Sequence, residues 1–91
     1  MGVCEVKARK GLIRAKVTIR DGKIEEASIT GDFILLPEDA VFQLELRLQG
    51  IEASGGRVAV AVREALSSAE IVGASVEDFL DAIICAIRGE T

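Results

Sequence analysis

The stretch Ile29-Thr-Gly-Asp-Phe-Ile-Leu-Leu-Pro37 divides the chain into two parts of different character. Before it, apolar and polar residues alternate with the period of a β-strand, and after it the apolar spacing becomes helical. Gly31 can adopt a positive φ at no steric cost, and Asp32 can cap backbone N–H groups beyond it, in the turn that leads to Pro37. Pro37 suits the first turn of a helix. We therefore expect the sheet to end here and the helices to begin.

Two strands, at about residues 3–9 and 12–20, open the chain and alternate apolar with charged residues. A two-residue turn at Lys10-Gly11 would join them and pair Ala8 with Ile13 and Cys4 with Val17. This register places the apolar residues of both strands on one face of the sheet, so the hairpin is self-consistent.

A third strand, at about residues 23–30, follows Asp21-Gly22, which is a strong signal for a type I′ hairpin. Counting outward from this turn sets Val17 against Glu26, whereas one extra residue near Glu25–Glu26 pairs Val17 with Ala27. We therefore predict a β-bulge there. The covered face of this 1-2-3 meander would carry Cys4, Val6, Ala8, Ile13, Ala15, Val17, Ile19, Ala27 and Ile29. The opposite face would carry Lys7, Arg9, Arg14, Lys16, Thr18 and Arg20.

The segment 37–49 is ambiguous, because its apolar residues suit both regular structures. Phe42, Leu44, Leu46 and Leu48 alternate as in a strand, whereas Val41, Leu44 and Leu48 have helical spacing. The acids after Pro37 and the glycine at position 50 favour a helix.

Two further helices are predicted, one from about Arg57 and one after Ser75, which is a good N-cap with Asp78 at the third helical position. The segment 71–74 would only connect them. The predicted fold is therefore α+β: a three-stranded antiparallel meander followed by three helices packed on one face, forming a single domain over residues 1–91.

Composition limits the possible chemistry. The chain has no histidine, and Cys4 and Cys85 are too far apart in sequence for a local metal motif. The composition therefore argues against zinc sites and histidine-dependent nucleophiles. We interpret both cysteines as small core or edge residues rather than reactive thiols. No apolar run reaches the length of a membrane span, and the N-terminus lacks signal-peptide features, so a cytoplasmic protein is expected. The absence of asparagine is a weak indication of a thermophile.

Charge is divided unevenly along the chain. Residues 1–31 hold seven Lys/Arg and four Asp/Glu, whereas residues 32–91 hold four and eleven. The net charge of −4 argues against nucleic acid as a partner. The local positive excess can instead orient the docking of a protein, although two solvated faces would explain it equally well.

Several motifs carry a family resemblance: Gly11-Leu-Ile-Arg-Ala-Lys-Val-Thr-Ile19, Asp21-Gly-Lys-Ile24, Ile29-Thr-Gly-Asp-Phe33, Pro37-Glu-Asp-Ala40 and Val72-Gly-Ala-Ser-Val-Glu-Asp-Phe79. Together they resemble the accessory C-terminal domain of lipoate–protein ligases over nearly the whole chain. In that family a second aromatic residue often follows the motif phenylalanine, and here Ile34 takes that position.

The resemblance implies a non-catalytic accessory subunit, of the archaeal two-chain type, that forms a heterodimer with a catalytic subunit and is needed to activate lipoate to lipoyl-AMP. It also implies that ATP, magnesium and lipoate belong to the assembled ligase and that this chain alone binds no cofactor. We expect the partner to contact Gly31, Asp32 and Phe33, together with the basic residues Arg9, Arg14, Lys16 and Arg20. Two alternatives remain open: an iron–sulfur scaffold or sulfur acceptor, and a stand-alone adaptor.

Overall fold

The structure is a computed structural model and describes residues 1–90. Over that range the elements are β1 (Gly2–Ala8), β2 (Gly11–Arg20), β3 (Lys23–Gly31), β4 (Ile34–Leu36), α1 (Ala40–Leu48), α2 (Gly55–Leu66), β5 (Glu70–Val72) and α3 (Val76–Glu90). The first three strands form an antiparallel sheet in the order β1-β2-β3, and β4 pairs with β5 in a separate ribbon. The predicted α+β class and meander are confirmed.

The core lies between the sheet and the helices. Helix α3 packs across β1 and β2, α1 lies beside β3, and α2 packs against both other helices. Six residues of the predicted covered face are buried, namely Ala8, Ile13, Ala15, Val17, Ala27 and Ile29. The other three, Cys4, Val6 and Ile19, are partly buried and pack against the same cluster. The covered face is therefore confirmed.

The predicted register of the first hairpin is wrong by two residues. The turn is Arg9-Lys10, and Cys4 lies opposite Ala15 rather than Val17. A shift of two leaves every side chain on the same face, so the apolar pattern could not distinguish the two registers. A contact from a distant part of the chain holds the turn, because the Lys10 N–H donates to the carbonyl of Gly73 at 3.1 Å.

The second hairpin agrees with its prediction. Asp21 and Gly22 both have positive φ, 53° and 76°, as a type I′ turn requires. Ile19 pairs with Ile24 and Thr18 pairs with Glu26, so Glu25 is the extra residue of a β-bulge. The bulge returns the apolar residues of β3 to the covered face, where Ala27 meets Val17.

The β4–β5 ribbon was not predicted. Ile34–Leu36 pairs with Glu70–Val72, two segments interpreted above as the approach to a helix and as a connection. Three-residue strands are too short to show a period of two. The prediction of Pro37 in the first helical turn is also wrong, because α1 begins at Ala40, whose N–H donates to the Pro37 carbonyl at 2.9 Å.

The N-termini of α2 and α3 are capped by serine side chains. Ser54 accepts a bond from the Arg57 N–H, so α2 begins at Gly55, two residues before the predicted start. The predicted cap of α3 is confirmed: the Ser75 N–H donates to Asp78 Oδ2 at 2.9 Å, and the Asp78 N–H donates to Ser75 Oγ at 3.2 Å. These reciprocal bonds form a capping box.

Cys4 and Cys85 form a disulfide that joins β1 to α3. Their Cα atoms are 5.8 Å apart, within the range that a disulfide spans. Both cysteines are structural residues rather than reactive thiols, as interpreted above, but the bond between them was not predicted. A separation of 81 positions carries no local signal, and only the packing of α3 on β1 brings the two residues together.

The two chain ends are also held together by charge. The Met1 ammonium pairs with the carboxylate of Glu90, and this hydrogen bond is the main reason why the pKa of Glu90 lies below its usual value. Over residues 1–90, the helices are too short or too polar to cross a bilayer.

Candidate functional site

The Gly31-Asp32-Phe33 motif forms a corner where the chain leaves β3 for the ribbon. The Asp32 N–H donates to the Leu12 carbonyl at 2.9 Å, and the Leu12 N–H donates to Asp32 Oδ2 at 3.3 Å. The expected cap on the turn leading to Pro37 is therefore not what Asp32 makes. Its carboxylate instead holds the start of β2, which becomes its neighbour only in the folded sheet.

Gly31 is required by a close approach of two backbones at this corner. Its φ is +151°, and a Cβ atom there would overlap the Leu12 carbonyl oxygen and lie 2.9 Å from the Cα of Ile13. Gly11 has a similar φ of +152° and lies directly against the Asp32 side chain. The two glycines allow β2 and the end of β3 to approach closely enough for Asp32 to bond to Leu12.

Phe33 anchors the corner to the last helix. Its ring meets the fully buried ring of Phe79 edge to face, with centroids 4.9 Å apart and planes at 77°. This geometry is favourable for an aromatic pair. The next residue, Ile34, is 56% exposed, so its side chain faces solvent beside the corner.

The corner borders an open depression of about 440 Å³ lined by Lys10, Gly31, Asp32, Phe33, Ile34 and Val72. Lys10, Ile34 and Val72 were not among the predicted site residues. They reach the motif because the first turn bonds to Gly73 and because β5 pairs with β4. The glycine at position 73 is the sequence feature that could have indicated a turn here, and in the structure it follows β5 directly with a φ of +91°.

The face of the sheet that points away from the helices is exposed, and we call it the open sheet face. Its side chains are Val3, Glu5, Lys7, Leu12, Arg14, Lys16, Thr18, Arg20, Lys23, Glu26, Ser28 and Thr30. Five of them are basic and two are acidic, so the face carries a positive excess. Val3 and Leu12 add exposed apolar surface between the charges.

The structure brings together only part of the predicted basic set. Arg9 lies in the β1–β2 turn at the corner end, Arg14 lies opposite Glu5, and Lys16 lies between Val3 and Ser28. Arg20 lies six residues beyond Arg14, about 20 Å along the strand. Its guanidinium is 3.5 Å from the Glu25 carboxylate. The corner is therefore near Arg9 and Arg14 and far from Arg20.

The charged side chains of this region differ in what they contact. Asp32 is occupied by the backbone of Leu12, and the basic side chains point to solvent from a regular sheet. Within the described range, 1–90, His, Cys, Asp and Glu residues do not gather in any group of three or more that could hold a metal ion.

Comparison with known proteins decides the family. Residues 4–83 match the family described as the bacterial lipoate protein ligase C-terminus. The chain belongs to this family. A curated member, lipoate-protein ligase A subunit 2 of Thermoplasma acidophilum, is 35% identical over 78 residues, covering 85% of this chain and 81% of the relative.

A solved structure of the same family has the same fold. It is described as part of an archaeal lipoylation system, a bi-partite lipoate protein ligase and its E2 lipoyl domain from Thermoplasma acidophilum. The TM-score is 0.81 at 30% identity, and the match covers 89% of this chain and 91% of that chain. The resemblance inferred from the motifs is confirmed. The iron–sulfur alternative loses its support, because the Cys4–Cys85 bond leaves neither sulfur free to hold iron.

Proposed function

We propose that this chain is the non-catalytic accessory subunit of a two-component lipoate–protein ligase. With a separate catalytic subunit it supports the ATP-dependent activation of lipoate to lipoyl-AMP. The observation that carries this proposal is the match to a ligase subunit 2 over 85% of this chain and 81% of the relative. ATP, magnesium and lipoate then bind the catalytic subunit of a cytoplasmic heterodimer, in an archaeal and thermophilic host.

The accessory subunit would act by coupling rather than by chemistry. It binds the catalytic subunit in trans and favours the conformation that activates lipoate. Because this is a thermodynamic linkage, lipoate and ATP must strengthen subunit association by the same factor by which association strengthens their binding. The coupling can therefore be measured as a change in affinity without following turnover.

We place the docking surface on the open sheet face together with the Gly31–Phe33 corner. These two regions adjoin at Arg9 and Arg14, and the sheet face carries the positive excess of an otherwise acidic chain. A partner with an acidic patch would be steered to this face by long-range attraction. The exposed Ile34 beside the corner supplies apolar area at one end of the surface.

Mixing the subunits tests the function directly. This chain alone should form no lipoyl-AMP, and the catalytic subunit alone should form it slowly. The mixture should form it at least about a hundredfold faster, the effect of roughly 2.7 kcal/mol on the barrier. The measurement is lipoate-dependent release of pyrophosphate from ATP. Adenylate formation by this chain alone would contradict the proposal, and an unchanged rate in the mixture would favour the stand-alone adaptor.

Reversing two charges tests the docking surface. Arg14→Glu with Lys16→Glu should slow association with the catalytic subunit about tenfold at low salt and less at physiological salt, because screening weakens steering. The control, Arg57→Glu with Arg63→Glu, makes the same change in net charge on α2. Stopped-flow association rates at several salt concentrations measure the effect. Equal slowing by both variants would show that only total charge matters.

A further inference from the structure

Helix α1 has apolar residues on two opposite faces. Ala40, Leu44 and Leu48 are buried in the core, whereas Phe42 is 56% exposed and Leu46 is 46% exposed. At about 100° per residue, the pair Phe42 and Leu46 points about 180° away from the buried stripe. We call this pair the outer stripe. It also explains why the segment alternates like a strand in sequence.

The outer stripe lies beside β3, the edge strand of the sheet. Glu45 of α1 accepts a hydrogen bond from the Ile29 N–H at 2.8 Å, and the amide of Gln49, the residue after α1, donates to the Glu25 carbonyl at 3.3 Å. These side chains bond to the backbone of β3 on the side away from β2. Together with the buried residues Ala40, Leu44 and Leu48, these bonds keep the outer stripe directed away from the core of its own domain.

The outer stripe and the open sheet face form one continuous surface. Phe42 and Leu46 border a depression of about 230 Å³ whose other side includes Glu26 and Ala27 of β3. Glu26 also borders a shallow depression on the open sheet face, with Met1, Lys16, Thr18 and Ser28. The surface therefore runs from Lys16 over Glu26 to the outer stripe without an intervening element.

We propose that the catalytic subunit that occupies the open sheet face also covers the outer stripe, and that Phe42 and Leu46 are the apolar anchors of that interface. This inference rests on the proposed function and names its contact residues. Interfaces combine a charged rim with a few apolar or aromatic anchors that carry most of the affinity. The sheet face supplies mostly charge, with Val3 and Leu12 between the charges, and the outer stripe adds the aromatic side chain that this face lacks together with a further leucine.

A second copy of this chain fits the outer stripe poorly. A twofold axis through the stripe would bring Glu26 and Glu45 close to the same acidic residues of the other copy, and the acids before α1, Glu38 and Asp39, would add to the repulsion. Two side chains per copy also bury far less than the roughly 800 Å² per partner of a stable interface. The continuity with the basic face instead favours a different protein that presents acidic groups opposite Lys16.

The test compares the double variant Phe42→Ala with Leu46→Ala against Val60→Ala, a residue of α2 that is 57% exposed. Binding to the catalytic subunit is measured by surface plasmon resonance. The double variant should bind about 30- to 100-fold more weakly, mainly through faster dissociation, whereas Val60→Ala should bind like wild type. Leu46→Gln, which keeps the side-chain length, should weaken binding about tenfold. This single variant replaces the double variant if the latter unfolds at too low a temperature for the binding measurement.

Each outcome decides the inference. Wild-type affinity in the outer-stripe variants, in a complex that still forms lipoyl-AMP, overturns it and leaves the proposed function standing. Equal weakening by Val60→Ala also overturns it. Self-association of the wild-type chain that the double variant abolishes assigns the stripe to a second copy. If the wild-type subunits neither bind nor activate lipoate together, the proposed function fails and the inference fails with it.

Discussion

Replacing both cysteines, Cys4→Ala with Cys85→Ala, should lower the midpoint of thermal unfolding by about 20–30 °C. The disulfide spans 81 positions, nearly the whole chain. A cross-link that closes a loop of this length removes unfolded-state entropy worth about 4.5 kcal/mol in the chain-entropy account. A domain of this size shifts by roughly 4–8 °C per kcal/mol. Circular dichroism melts of the oxidised wild type and the double variant measure the difference.

The wild-type chain in reducing agent is the matched control for this experiment. It should melt close to the double variant, because both lack the cross-link. A double variant with the same melting temperature as the oxidised wild type would show that the disulfide contributes nothing to stability. Two free thiols in the unfolded, non-reduced wild type, counted with a thiol reagent, would show that the bond does not form in solution.

Gly31→Ala should destabilise the protein by about 3–5 kcal/mol, the second large effect that the structure predicts. Two costs add at this position. A side chain is strained at a φ of +151°, which costs about 1–3 kcal/mol. The new Cβ atom would also meet the backbone of Leu12 and Ile13, and separating the strands to relieve the contact costs a similar amount. Urea unfolding monitored by circular dichroism measures the loss.

Two other glycines separate these costs. Gly22 has a φ of +76°, and a Cβ atom at that position would meet nothing within 4 Å, so Gly22→Ala should incur the conformational strain alone. Gly55 lies in the first turn of α2 with open space around it, and Gly55→Ala should be neutral or stabilise by up to about 1 kcal/mol. Equal losses for Gly31→Ala and Gly22→Ala would show that the close approach at the corner has no energetic weight.

The corner gives the family motif a structural meaning. Gly31 permits the close approach, Asp32 bonds to the backbone of Leu12, and Phe33 packs on Phe79. Each residue positions the β3–β4 connection against the sheet or α3. The motif therefore shapes the end of the proposed docking surface, and both of its larger side chains, Asp32 and Phe33, make contacts within the domain.

The amino-acid sequence determined the features that depend on near neighbours. The Asp21-Gly22 turn, the bulge at Glu25 and the capping box at Ser75 were all readable, because each is a local pattern with one favoured geometry. The covered face was readable for the same reason, since alternation along a strand specifies which side chains share a face. The motif identified Gly31, Asp32 and Phe33 as candidate residues, but it did not predict the contacts that they make.

The tertiary structure decided what local patterns leave open. The first hairpin could move by two residues without changing faces, and in the observed register its turn bonds to the distant Gly73 through the Lys10 N–H. The ribbon pairs Ile34–Leu36 with a segment more than thirty positions away, and the disulfide joins the two ends of the chain. The sequence did not specify which face of α1 is buried, so only the fold identifies Phe42 and Leu46 as exposed. In each case the deciding contact joins residues distant in sequence, and only the packing of the whole core brings them within reach.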